Sequence, residues 1–401
     1  MREVGDALQG LKVIECATVI AAPLMGRIMA DFGAEVIHVE HPIQGDHLRK
    51  FGVTVKGVNP SWKSYSRNKK CITLDISKAK GRDLLFQLLK DADIFIENFR
   101  PGRLEEWNIH YADLAELNPG LIMVRITGFG QYGPYSSRPG FGTLVEAMSG
   151  FAAMVGEPEG PPTLPPFPLA DSFAALFGLY AAMFAVYHRD IVGSGKGQLI
   201  DVSIWEGLYS MLGPNASLFD LTGRAPQRIG NRSHTSAPRN CYRTKDDRWV
   251  AIAGSTQTTA ARLFETMGQP ELIKDLRFNS NENRIKNVED LDGIVGRWMK
   301  EHSLKEIMAM LNEKEVPVGP IFDIGDIIQD AHAQAREMAL KVPDEDRGTL
   351  LMEGVFPKMS QTPGVVRHTG KPMGADNKEI FEERLGLSRK KVEELRKEKI
   401  L

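Results

Sequence analysis

Between residues 11 and 127 short β-branched runs alternate with helical stretches, and a chain that alternates in this way is confined to right-handed βαβ units around a mostly parallel sheet. Leu11-Lys12-Val13-Ile14-Glu15 predicts the first strand, residues 23–32 a helix and residues 35–40 the second strand. Residues 71–74, 93–97 and 121–126 predict three more strands, with a helix over 81–90 between the first two of these. The fold class expected is α/β.

Later segments divide the chain. Residues 128–170 are rich in Gly and Pro and are expected to wrap the sheet edge and line a cleft. Helices are expected over 172–189 and 202–221, with the turn Gly193-Ser194-Gly195-Lys196-Gly197 between them. Near Gly223 the composition turns polar and basic, and a strand over 249–253 followed by amphipathic helices suggests a second, smaller domain. The division expected is a large domain over 1–222, a small inserted domain over 223–324, and a return to the large domain over 325–401. With 401 residues the chain is long enough for two cores.

A formal net charge of −2 and a pI near 6.5 argue against nucleic acid as the main partner. The uncharged run over 173–187 is shorter than the roughly 18 residues that cross a bilayer, so a core helix buried nearly all round is expected, and no membrane partner. Residues 1–10 contain Arg2, Glu3 and Asp6 and no apolar stretch, so no secretory signal is expected. Three widely spaced cysteines suit a reducing, cytoplasmic compartment and supply neither a disulfide framework nor a metal site.

Several motifs lack the context their chemistry needs. Gly128-Phe129-Gly130-Gln131-Tyr132-Gly133 has the spacing of a dinucleotide loop, but Pro134 and Pro139 deny it the helix that would face a pyrophosphate. Gly193 to Gly197 lacks the phosphate-loop spacing. The histidines never fall in a zinc-binding pattern, and Ser149 is not in a nucleophile elbow. Asp171 is different. It stands where the stiff Pro165-Pro166-Phe167-Pro168 approach meets a long apolar helix, as a helix cap or as a nucleophile. Arg100, Arg103, Arg125 and Arg138 lie on or near segments that follow predicted strands, where open α/β sheets bind ligands.

These residues sit within a wider pattern: Gly10-Leu11-Lys12-Val13-Ile14, Ala30-Asp31-Phe32-Gly33-Ala34-Glu35-Val36-Ile37, Val39-Glu40-His41-Pro42 with Gly45-Asp46, and Glu97-Asn98-Phe99-Arg100-Pro101-Gly102. It continues through Asn118-Pro119, Thr127-Gly128-Phe129-Gly130, Leu169-Ala170-Asp171, and Gly195-Lys196-Gly197-Gln198 with Ile200-Asp201-Val202-Ser203. Over essentially its full length the chain resembles the class III coenzyme A transferases, the family of formyl-CoA transferase and the carnitine CoA-transferases. The resemblance implies a Rossmann-like large domain with a smaller inserted α/β domain, in an interlocked homodimer.

It also implies that Asp171 attacks an acyl-CoA and carries CoA as an aspartyl thioester to a small carboxylic acid, with no prosthetic group. Ile20, Ala21, His41, Leu74, Asp75, Ile76, Ser77, Asn98, Phe99 and Arg100 match positions that contact CoA, and Arg103, Arg138 and Gly140 complete the expected cofactor-binding set. Formyl-CoA transferase has a glutamine where this chain has Ile20, a CoA-contacting basic residue of relatives falls at Glu106, and the long glycine loop is missing from the small domain. Two related readings stay open. An α-methylacyl-CoA racemase would need an acid/base opposite Asp171, where this chain has Phe141, and a non-catalytic CoA-binding protein would leave Asp171 unmodified. Arg228, Arg232, His234 and Arg239 are candidates to hold the distal carboxylate of a dicarboxylic acceptor such as succinate, or else form a solvated basic loop.

Overall fold

The strands predicted from β-branched runs are present in the structure, a computed structural model that describes residues 6–401. They are β1 (Lys12–Cys16), β2 (Glu35–Glu40), β3 (Lys70–Thr73), β4 (Ile94–Glu97) and β5 (Ile122–Thr127), and the sheet gains a sixth strand that was not predicted, β6 (Leu199–Ser203). All pair in parallel, in the order β3-β2-β1-β4-β5-β6. Strands alternate with helices α1 (Ala21–Asp31), α2 (Pro60–Tyr65) and α3 (Ala79–Leu89). The order reverses between β1 and β4, and an open sheet of this kind has its crevice beyond the C-terminal ends of those two strands.

Burial on both sheet faces explains why the strands read as continuous apolar runs. Side chains alternate: Ile14, Ile37, Ile72 and Phe95 pack with Leu85 and Leu88 of α3 on one face, while Val13, Val36, Ile94 and Ile96 pack with Met25 and Met29 of α1 on the other. A helix over Leu169–Asp190, here called the Asp171 helix, joins the second core through Ala170, Ala174, Ala175, Ala182 and Ala185. Gly178 allows this close approach, since a Cβ there would lie 3.0 Å from Met25 Sδ and 3.2 Å from Ile126 Cδ1.

Two expectations about this region change. The Asp171 helix is not buried all round: Leu176, Tyr180, Phe184 and Tyr187 repeat at helical spacing along an exposed stripe. At 22 residues it is also the one helix among the described residues long and apolar enough to cross a membrane, although its small-residue face is docked on the sheet. The helix expected over 202–221 is instead β6, a helix over Ile204–Ser210 and a helix over Asn215–Thr222. Leu199 to Ser203 pair with β5, Ser203 caps the next helix by accepting from Glu206 N, and Gly213-Pro214 breaks the run.

The chain forms two compact units. The first runs to Phe151 and includes Leu164–Ala216 and Gln334–Leu401. Its last segment closes the open edge of β3, where the side chains of Asp376 and Asn377 accept from Cys71 N at 2.7 Å and Thr73 N at 2.9 Å. The buried Arg67 ties α1 to the same segment through Asp31 Oδ2 at 2.7 Å and Glu353 O at 2.6 Å. The second unit comprises Ala152–Thr163 and Ser217–Ala333, so residues 152–163 group with the basic segment and not with the sheet. It is built on an antiparallel sheet of β7 (Arg239–Arg243), β8 (Trp249–Ala253) and β9 (Val318–Pro320), with a core that includes Val250, Ile252, Phe264, Phe278, Leu291 and Met299.

Candidate active site

The turn from β1 into α1 lies at the crevice. Val19 adopts φ +70°, a left-handed conformation that is costly for a β-branched residue. Two side chains hold it there. Asn98, just beyond β4, accepts from Thr18 N at 2.9 Å and donates to Thr18 O at 2.8 Å, and Asp46 Oδ1 accepts from Val19 N at 3.1 Å. The turn ends at Ile20, the N-cap of α1, which supplies no side-chain cap to that helix.

Asp46 is itself anchored by a buried charge network. His38 donates through Nδ1 to Glu15 at 2.6 Å, and its Nε2 lies 3.4 Å from Asp46 Oδ2, an ion-pair contact longer than a good hydrogen bond. Lys69 Nζ reaches both Glu15 oxygens, at 2.7 and 2.9 Å. Burial opposes the charge on His38, but the carboxylates of Asp46 and Glu15 outweigh it and raise its pKa to about 9. The imidazole is therefore a buried cation at neutral pH. Glu97, at the end of β4, is pushed the other way: burial raises its pKa to about 7 against the pull of Arg125.

Asp171 is not the cap of its helix. Pro168 takes the N-cap position with no side-chain bond, and Asp171 sits in the first turn. The helix-end N–H of Ala170 donates to the buried Glu146, at 3.1 Å from Oε1. The one hydrogen bond that favours the Asp171 anion comes from its own backbone N–H. Burial first, and the charge of Glu146 second, raise its pKa from 3.8 to about 6. The carboxylate is seated on bare backbone: a Cβ on Gly142 would lie 2.1 Å from Asp171 Oδ2.

The other expected residues fall at the strand ends. His41 follows β2, with Nε2 3.8 Å from Asp75 Oδ2, and Asp75 in turn accepts from the Ser77 hydroxyl at 2.5 Å. Leu74 and Ile76 point into the core, which leaves them only backbone groups for a ligand. Phe99 packs edge-on against Trp107 at 5.1 Å. Arg100 is exposed and has no ion-pair partner among the described residues, whereas Arg103 pairs with Glu106 at 2.6 Å. Arg138 lies over the Tyr135 ring at 3.8 Å, and that ring stacks on Trp205. Gly140 has a packing reason to be glycine, since a Cβ would come within 2.9 Å of the Phe129 ring.

Arg125 is spoken for, bonded to Glu97 at 2.6 Å and Glu105 at 2.7 Å. The basic segment of the second unit is also internally committed. Arg232 pairs with Asp292 at 2.8 Å, Arg239 donates to Asn231 O and Arg232 O, and Arg228 donates to Gly160 O at 2.9 Å. A carboxylate acceptor would have to compete with these bonds, which disfavours the segment as its site. Among the described residues no group of three His, Cys, Asp or Glu side chains could hold a metal ion.

Sequence reasoning missed Glu146, the strained Val19, and the roles of Asp46, His38, Glu15 and Lys69. The only signal available was a set of charged residues within apolar strands, at Glu15 and His38.

Comparison with known proteins accords with this geometry. The sequence model described as CoA-transferase family III matches residues 8–377. The chain is 40% identical over 382 residues to succinyl-CoA–D-citramalate CoA-transferase of Chloroflexus aurantiacus, covering 95% of this chain and 94% of that one. It is 36% identical over 398 residues to the β subunit of succinyl-CoA–L-malate CoA-transferase from the same organism, covering 98% of each. A crystal structure of a CaiB/BaiF family protein from Brucella suis superposes with a TM-score of 0.84 at 30% identity, over 94% of this chain and 99% of that one. The chain belongs to CoA-transferase family III and is a class III CoA-transferase.

Proposed function

We propose that this enzyme moves CoA from succinyl-CoA to a short dicarboxylic or hydroxydicarboxylic acid through a thioester on Asp171. The choice of donor and acceptor follows the relatives named for succinyl-CoA with citramalate and malate. An Asp171 oxygen attacks the thioester carbonyl, the C–S bond breaks, and CoA thiolate leaves behind a mixed anhydride. The thiolate then attacks Asp171 Cγ, releasing the donor acid as a carboxylate and forming aspartyl-CoA. The acceptor carboxylate reverses both steps and departs as the new acyl-CoA, with Asp171 regenerated and no net proton moved.

The observation that carries this reading is the Asp171 carboxylate, part-buried against Gly142 with a pKa near 6. It is ionised at neutral pH yet more basic than an ordinary carboxylate, and so a better nucleophile. CoA would lie along the strand ends, with the turn amides at Ile20 and Ala21 near the thioester. Backbone of Leu74 to Ser77, His41, and Asn98 to Arg100 would flank it, with Arg103, Arg138 and Gly140 further along. Phe141 has no proton to exchange, which weighs against racemisation.

The test is to incubate the enzyme with succinyl-CoA, trap with hydroxylamine, and map the modification by mass spectrometry while screening carboxylate acceptors. Modification at Asp171 and transfer to a dicarboxylate are expected. Transfer without any adduct at Asp171, or exchange of an acyl α-proton without an acceptor, would overturn the reading. We further propose that the chain works as a homodimer in the cytoplasm, a second copy covering the apolar stripe of Leu176, Tyr180, Phe184 and Tyr187.

A further inference from the structure

We infer that Glu146 is a positioning residue for the transfer, one that takes the Ala170 N–H at the start of the Asp171 helix and keeps a second negative charge beside Asp171. The inference rests on the proposed role of Asp171 as nucleophile. Glu146 lies on the helix over Gly142–Met148, which also supplies the bare backbone of Gly142 under the Asp171 carboxylate. It is a buried carboxylate, 3% exposed, and the only ionic group whose charge acts appreciably to raise the pKa of Asp171. Among the described residues neither carboxylate forms a salt bridge.

Other charged groups on elements packed against the Asp171 helix are engaged elsewhere or lie away from its first turn. On α1, Arg27 bonds Glu353 at 2.6 Å and Asp31 bonds Arg67. Arg125 on β5 bonds Glu97 and Glu105, and Asp201 on β6 accepts from Gln131 N at 2.9 Å. Glu206, on the helix over Ile204–Ser210, lies on a different stretch of the helix, beside Phe177 and Tyr180. Burial is the main cause that raises the pKa of the Tyr65 phenol on α2, and the charge of Asp171 adds a smaller push.

The consequence is chemical. A helix end whose free N–H groups bonded the nucleophile would stabilise its anion and blunt its attack on the thioester. Glu146 intercepts the Ala170 N–H, and its own charge makes the Asp171 anion more basic and more nucleophilic. Glu146 touches no substrate in this scheme. It acts through Asp171.

Glu146→Gln separates charge from structure, because the amide oxygen can still accept from Ala170 N. The experiment follows kcat/KM for succinyl-CoA against pH in wild type and variant, with hydrogen exchange at Ala170 as the check on the cap; titration of the CoA phosphates is common to both enzymes and cancels in the comparison. The acid limb is expected to move to lower pH by about 1 unit in the variant, with Ala170 still protected. An unmoved limb overturns the inference. If wild type forms no hydroxylamine-trapped adduct at Asp171, the nucleophile reading itself fails, whatever Glu146 does. Should Glu146→Gln not fold, Glu146→Asp is read instead: it keeps the charge but falls short of Ala170 N, so the limb should stay while kcat drops about 10-fold. An Asp variant with wild-type kcat overturns the positioning role.

Discussion

Asp171 carries a stability cost, which fits the nucleophile role proposed for it. Its folded-state pKa is raised from 3.8 to about 6, so the unfolded chain ionises first. Below both values the group is protonated in either state and contributes nothing. As pH rises through that window the folded state becomes progressively less stable, and above it the penalty is complete. Asp171→Asn should therefore abolish transfer, by at least about 10³-fold, while raising stability at neutral pH by about 1–3 kcal/mol. Thermal melts across pH check this. The gain should vanish at low pH, and a variant less stable than wild type at neutral pH would contradict the assignment.

At the scale of elements, Gly26 shows how α1 is built around the buried charges. Gly→Ala in an exposed helix normally stabilises by up to about 1 kcal/mol. Here an added Cβ would lie 1.8 Å from Glu15 Oε2, within the Glu15–Lys69–His38 network. Gly26→Ala should lower stability by about 3 kcal/mol or more, read as a fall in Tm. The displaced network should also loosen Asp46 and, through it, the strained Val19 turn. A Tm equal to or above that of wild type would show that the network yields cheaply.

At the scale of the whole molecule, the Asp171 helix presents an apolar face to solvent. Leu176, Tyr180, Phe184 and Tyr187 are 45–67% exposed along one stripe, which a monomer in water rarely tolerates. Phe184→Asp should shift a dimer toward monomer in sedimentation, with the far-ultraviolet circular dichroism unchanged. A wild-type protein that sediments as a monomer at all concentrations would refute the self-association.

Sequence alone determined the βαβ order and the positions of β1 to β5, because those depend on local periodicity and on turn chemistry near in the chain. The exception is instructive. The helix expected over 202–221 failed because pairing with β5 overrode the local pattern of Leu199 to Ser203. Only the tertiary structure decided the partner of the Ala170 N–H at the start of the Asp171 helix, the lock on Val19 and the fate of the basic segment. Thr18 and Asn98 are 80 residues apart, Ala170 and Glu146 are 24 apart, and Arg232 and Asp292 are 60 apart. Local composition shows that a carboxylate or a guanidinium is present, but its partner, its burial and hence its protonation are set by segments that meet only when the chain is folded.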